Sequence, residues 1–154
     1  MQPRSYADIE KIIVHCSASD FGDAAVIDAW HRERGFDGIG YHFVILNGRR
    51  TADSAYDPAA DGEIEKGRPV DRIGAHCRGA NTDSVGVCVI GDRFFTSKQL
   101  LSALPQVLLA LTDLPGITHA TQIYGHRDFS DTKTCPNIDT QALRFMAGRS
   151  LRWT

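Results

Sequence analysis

No run of apolar residues in this 154-residue chain approaches the roughly 20 needed to cross a bilayer, which excludes a helical membrane span. An excess of either charge is also missing: 17 Lys and Arg stand against 19 Asp and Glu, a net charge of −2. That balance excludes a large electrostatic footprint for nucleic acid. Met1 to Asp8 lack the basic, apolar and small-residue order of an export signal, so cytoplasmic synthesis without a signal peptide is expected. Low-complexity tracts, long linkers and internal repeats are absent too, which leaves one domain over 1–154. The positions of the 4 cysteines do not look like a small secreted disulfide framework. Cys88 lies inside the apolar run 85-VGVCVIG-91 and reads as a small core residue. Cys16 and Cys77 each follow a histidine, so on a strand they point to the opposite face and read as structural or free thiols.

What is present is ordinary for a globular protein, 42% hydrophobic and 23% charged residues. A chain of this length buries about 70% of its unfolded surface. Residues 12–15 read as a buried first strand. Within 23-DAAVIDAWHRERGF-36, Val26, Ile27, Trp30 and Arg34 recur at helical spacing, and Gly35 is a stop signal. Trp30 reads as core and His31 as a surface group beside it. A strand follows at 41–46, closed by the turn pair Asn47-Gly48. A second turn pair, Asp61-Gly62, precedes a strand and return loop over 63–71. Between the turns, 49-RRTADSAYDPAA-60 reads as an inserted surface loop.

Residues 85–92 are apolar on both faces, as a central strand should be. Thr96 and Gln99 have the spacing of a capping box, and Leu100, Leu101, Leu104, Val107, Leu108 and Leu111 continue the helical pattern. Pro105 should kink or split that helix. A short strand at 121–125 and a last helix near 140–147 complete the set. The class is α/β, one domain with a mixed central sheet flanked by helices.

The chemistry concentrates in 124-YGHRDFSDTKTCPN-137, where His126 and Cys135 stand in one turn-rich segment with Lys133 between them. A neutral imidazole and a thiolate are common zinc ligands, at roughly 2.0–2.3 Å from the metal. A third ligand must come from elsewhere, and His15 at the end of the first strand is the best placed. Three ligands leave a fourth position open, as a hydrolytic zinc needs. Plainer readings stand beside this one. Cys135-Pro136 is also a turn sequence, and His126 beside Arg127 and Asp128 also fits an ion-pair cluster. His119 is a rival ligand, although 116-GITHATQ-122 reads as a connection with nothing to hold it over a site.

Five blocks in order carry a wider resemblance: 12-IIVHCSAS-19, 30-WHRERGFDGIGYHFVI-45, 61-DGEIEKGRP-69, 74-GAHCRGANTDSVGVCVIG-91 and 125-GHRDFSDTKTCP-136. In these the chain resembles the N-acetylmuramoyl-L-alanine amidase type 2 family, which includes phage lysozyme-type amidases and peptidoglycan recognition proteins. The resemblance implies one catalytic zinc ion per chain, bound by His15, His126 and Cys135. It implies that Tyr41 and Lys133 are the catalytic side chains, and that a lysine at 133 marks the phage-type enzymes where many relatives have threonine. It places His76 and Asn81 on a groove wall that meets the muramyl peptide. Arg68 and His31 are further candidates for that groove, whereas His42, next to Tyr41, faces away and reads as structural.

The function implied is hydrolysis of the bond between N-acetylmuramic acid and L-alanine in peptidoglycan, by a monomer acting as a phage or prophage endolysin released through a holin. The rivals are a cytoplasmic muropeptide-recycling amidase and a non-catalytic peptidoglycan receptor. Two departures from the family pattern stand out. The 49–60 insertion is a candidate lip over the groove, and Asn137 stands where many relatives have glycine.

Overall fold

The computed structural model describes residues 1–148. Five strands form one mixed sheet: β1 (Lys11–Cys16), β2 (Phe43–Asn47), β3 (Asp61–Lys66), β4 (Ser84–Val89) and β5 (Ile123–Gly125). Their order is β3-β2-β4-β1-β5, with β2 and β3 antiparallel and the other neighbours parallel. The helices are α1 (Ala24–Glu33), α2 (Leu104–Leu111) and α3 (Thr140–Met146). The expected mixed α/β sheet is therefore what forms, and the end of the expected 1–154 domain lies outside the described residues. Among them, no helix is long and apolar enough to cross a membrane.

Alternation along β1 and β4 assigns the two faces of the sheet. Ile12, Val14, Val85, Val87 and Val89 join Leu104, Val107, Leu108 and Leu143 in the main core, under α2 and α3. Each such side chain, fully buried, is worth about 1.5–3 kcal/mol. The intervening residues face the other way. There Val44, Leu46, Cys88 and Ile90 pack with Ile27 of α1, and Ile13 packs with Cys77 and Ala80.

Local signals are mostly honoured. Asp23 caps α1 by accepting from Val26 N at 2.9 Å. The Thr96–Gln99 box closes in both directions, at 2.9 and 3.1 Å. A π-helical turn over Gln99–Ala103 precedes α2, and Pro105 sits in the first turn of α2, so the proline marks a division as expected. Two boundaries move. Tyr41 precedes β2 rather than starting it, and Asp61-Gly62 lies inside β3, where the β2–β3 register slips between Ile45 and Asn47.

The 49–60 loop is more tightly tied down than its composition predicts. Arg50 meets Asp23, Glu63 and Glu65 at 3.3, 2.5 and 2.6 Å, joining the start of α1 to β3. The Tyr56 hydroxyl donates to Asp61 at 2.8 Å, and Ala60 is buried.

Candidate metal centre and groove

Strands β1, β4 and β5 run in parallel, so their carboxyl ends share one edge, the usual place for a ligand site in such a sheet. His15 is the fifth residue of β1 and pairs in register with Cys88. His126 follows β5 directly. The loop after it folds back so that the amide of Arg127 donates to Cys135 O at 2.8 Å, which carries Cys135 over the end of β1. Donor atoms of His15, His126 and Cys135 all lie within 4.8 Å of one another. The Nδ1 atoms of the two imidazoles face each other at 3.2 Å. The separation of the two nitrogens suits one edge of a zinc tetrahedron, and two imidazoles with a thiolate are a donor set that fits that ion.

The electrostatics suit a cation. Burial holds His15 well below the usual histidine pKa, helped by the neighbouring His76 and His126. Burial also lowers His126, and Lys133 adds to the effect. Both imidazoles are therefore neutral near pH 7, with lone pairs free to coordinate. The Cys16 and Cys135 thiols share a hydrogen bond, which brings the Cys16 thiol down to about 7 and raises that of Cys135, so the pair loses one proton readily and the second with difficulty. The amide of Cys16 donates to Cys135 Sγ at 3.1 Å, a contact that suits a thiolate on Cys135 when a cation is bound.

An open groove of about 400 Å³ lies over this cluster. Tyr41, His31, His76 and Lys133 line it together with His126 and Cys135, and His15 lies buried beneath them. The Tyr41 ring lies 5.0 Å from that of His15 and 5.3 Å from that of His31. Burial raises its phenol well above 10, so Tyr41 stays a proton donor at any ordinary pH. Lys133 is exposed at the groove.

The remaining expectations fare unevenly. His31 is buried, not a surface group: its Nδ1 accepts from Gly40 N at 2.9 Å, because the chain after α1 wraps over that helix face. Asn81 uses its side-chain oxygen to hold the amides of His76 and Cys77, and borders the groove only through a neighbouring recess. Arg68, expected at the groove, lies outside it. It is buried and bound to Ile39 O, Ile73 O and Asp37, so it braces the turns instead. No residue of 49–60 lines the groove, so the loop is not a lip.

Cys16 corrects another expectation. It lines the groove rather than pointing away, since Cys135 sits against the strand end where it meets the side chain and the amide of Cys16 alike. Arg34 and Asp92 also line the groove and were not foreseen there, although Arg34 falls three residues after His31 and so on the same helix face. Asn137 adopts φ 58°, the left-handed region that asparagine tolerates, and donates to Asp92 O at 2.8 Å. His119 is remote from the groove and bonds to Thr118.

A mixed sheet carrying a two-histidine, one-cysteine donor set at its carboxyl edge, under an open groove, defines the class as an α/β protein with a candidate three-ligand metal centre. Comparison with known proteins narrows this. The chain belongs to the N-acetylmuramoyl-L-alanine amidase family, whose model matches residues 5–138. The endolysin of Enterobacteria phage K11 is 35% identical over 141 residues, covering 87% of this chain and 84% of that protein. Among solved structures, N-acetylmuramoyl-L-alanine amidase LysC from Clostridium intestinale superposes with a TM-score of 0.72 at 26% identity, covering 93% of this chain and 88% of that one. A Drosophila PGRP-LB mutant bound to tracheal cytotoxin shares the fold, with a TM-score of 0.69 at 23% identity over 98% of this chain and 90% of that one.

Proposed function

We propose that this protein hydrolyses the amide between the lactyl group of N-acetylmuramic acid and L-alanine in peptidoglycan, with one zinc ion per chain held by His15, His126 and Cys135. The observation that carries the reading is the convergence of those three donors beneath a groove that also presents Tyr41 and Lys133. A zinc ion bound there would supply positive charge to acidify water and polarise a carbonyl. Tyr41, neutral at working pH, orients the attacking water and passes a proton towards the leaving amine. Lys133 stabilises the oxyanion as the carbonyl carbon becomes tetrahedral. The C–N bond then breaks, the amine leaves with its proton, and the lactyl carboxylate remains. His31 and the ring edge of His76 form part of the groove wall along which the muramyl peptide lies.

The phage endolysins among the relatives favour an endolysin role, with the enzyme reaching the wall after a holin opens the membrane. Mass spectrometry of digested sacculi tests the reading, and new amino-terminal L-alanine on otherwise intact stem peptides is the expected product. Chelation should abolish the activity and zinc should restore it, while His126→Ala and Cys135→Ser should each lose the metal. Cleavage of soluble anhydromuropeptides alone would point to a recycling amidase. Binding without cleavage would point to a receptor.

A further inference from the structure

The ring of His76 is held more closely than contact with a substrate requires. Gly86 interrupts the apolar run of β4, and a Cβ built there would come 2.5 Å from His76 Cγ. A Cβ on Gly74 would come 2.5 Å from His76 Cδ2. Both positions are thus kept clear for the imidazole. His76 Nδ1 lies 2.9 Å from His15 Nε2, and His76 Nε2 lies 3.4 Å from Ser84 Oγ. Ser84 Oγ donates to Ala80 O. His15 and Ser84 are fully buried and His76 nearly so, so water does not compete for these bonds.

The carbonyl of Ala80 sets the direction of the whole chain. A serine has one proton, and Ser84 gives it to that carbonyl, so its oxygen accepts from His76 Nε2–H. His76 then carries its lone pair on Nδ1 and accepts from His15 Nε2–H. His15 is left with its lone pair on Nδ1, the nitrogen that faces His126.

We infer that His76 and Ser84 are positioning residues that lock the tautomer and ring orientation of His15, presenting its Nδ1 to the metal. The inference rests on the zinc reading above but gives His76 a role separate from substrate contact. A partner on the far nitrogen of a metal-binding histidine typically contributes 10–100-fold to metal affinity.

Zinc affinity, measured by competition with a chromogenic chelator, should fall about 10–100-fold in His76→Phe, which keeps a ring but no acceptor. His76→Asn, whose amide oxygen can accept from His15, should recover most of that loss. Ser84→Ala should weaken zinc less than His76→Phe does. Long-range proton–nitrogen NMR of the metal-free wild type should show His15 protonated at Nε2. Wild-type zinc affinity in folded His76→Phe, with only KM raised, would reduce His76 to a substrate contact and overturn the inference. So would His15 protonated at Nδ1 in the wild type, a result that stands even if His76→Phe fails to fold. If the wild type bound no zinc, the metal reading would fall, while the NMR signal would still decide whether the hydrogen-bond chain sets the tautomer.

Discussion

On the α2/α3 side of the sheet, Ile12, Val14, Val85, Val87 and Val89 meet helix leucines in one continuous apolar core, whereas the other side splits into two smaller clusters with imidazoles between them. The same two strands supply both faces by alternation, so the contrast arises one residue at a time: Val14 faces the core and His15 the groove. The dry face carries most of the burial energy, which leaves the other face free to hold groups that do not pack well. Those groups are costly unless satisfied. Among the described residues, no buried side-chain nitrogen or oxygen lacks a hydrogen-bond partner. Every histidine except His119 is on this second face or at its edge, and burial keeps their rings neutral.

The sharpest way to break this division is to damage one face and measure the other. Tyr41→Phe should lower amidase turnover about 10²–10³-fold, equivalent to roughly 2.7–4 kcal/mol of barrier, with the melting temperature and zinc content nearly unchanged. Leu108→Ala should do the reverse, costing about 2–5 kcal/mol of stability while the folded, zinc-loaded enzyme keeps its turnover. Thermal melts and initial rates on the two purified variants suffice. A Leu108→Ala enzyme that is stable but slow would show that the core face reaches into the chemistry.

A smaller effect should appear with pH. Burial brings His42 down to about 4, while its Nδ1 accepts from Gly86 N at 2.9 Å and its Nε2 lies 3.0 Å from Arg72 O. The folded pKa lies below the unfolded value of about 6.5, so the unfolded chain binds the proton more readily. The contribution of this group is complete above pH 6.5 and is lost as pH falls from there through about 4, a decline of roughly 3 kcal/mol. Metal-free protein should therefore melt at progressively lower temperature across that window, and His42→Gln should flatten the slope. An unchanged slope in the variant would assign the acid sensitivity to the other buried imidazoles.

The smallest effect belongs to the edge far from the groove. Arg50→Ala removes ion pairs to three carboxylates, but its side chain is 37% exposed. The loss should be about 1 kcal/mol or less, and salt should diminish it. Zinc affinity and turnover should not move. A clear fall in turnover would tie the 49–60 loop to the groove after all.

Much of this was legible in the chain itself because it depends on neighbours in sequence. Continuous apolar runs mark β1 and β4, period-3.6 spacing marks α1 and α2, and the Thr96–Gln99 box announces its turn. Residue type makes His126 and Cys135 candidate ligands and His15 the best-placed third, and the resemblance to the amidase family singles out that set. Folding then decided what spacing could not. Cys16 meets Cys135 across 119 residues, a contact that no local pattern encodes and that cancels the strand alternation at the last residue of β1. Arg68 turns inward because backbone carbonyls of Ile39 and Ile73 converge on it. Gly86 looks like a flaw in an apolar strand until the His76 ring fills the space above it. In each case the sequence determined the donors, acceptors and volumes available. Which of them meet is decided by the packing of distant segments, because a buried polar atom takes whichever partner the fold brings within reach.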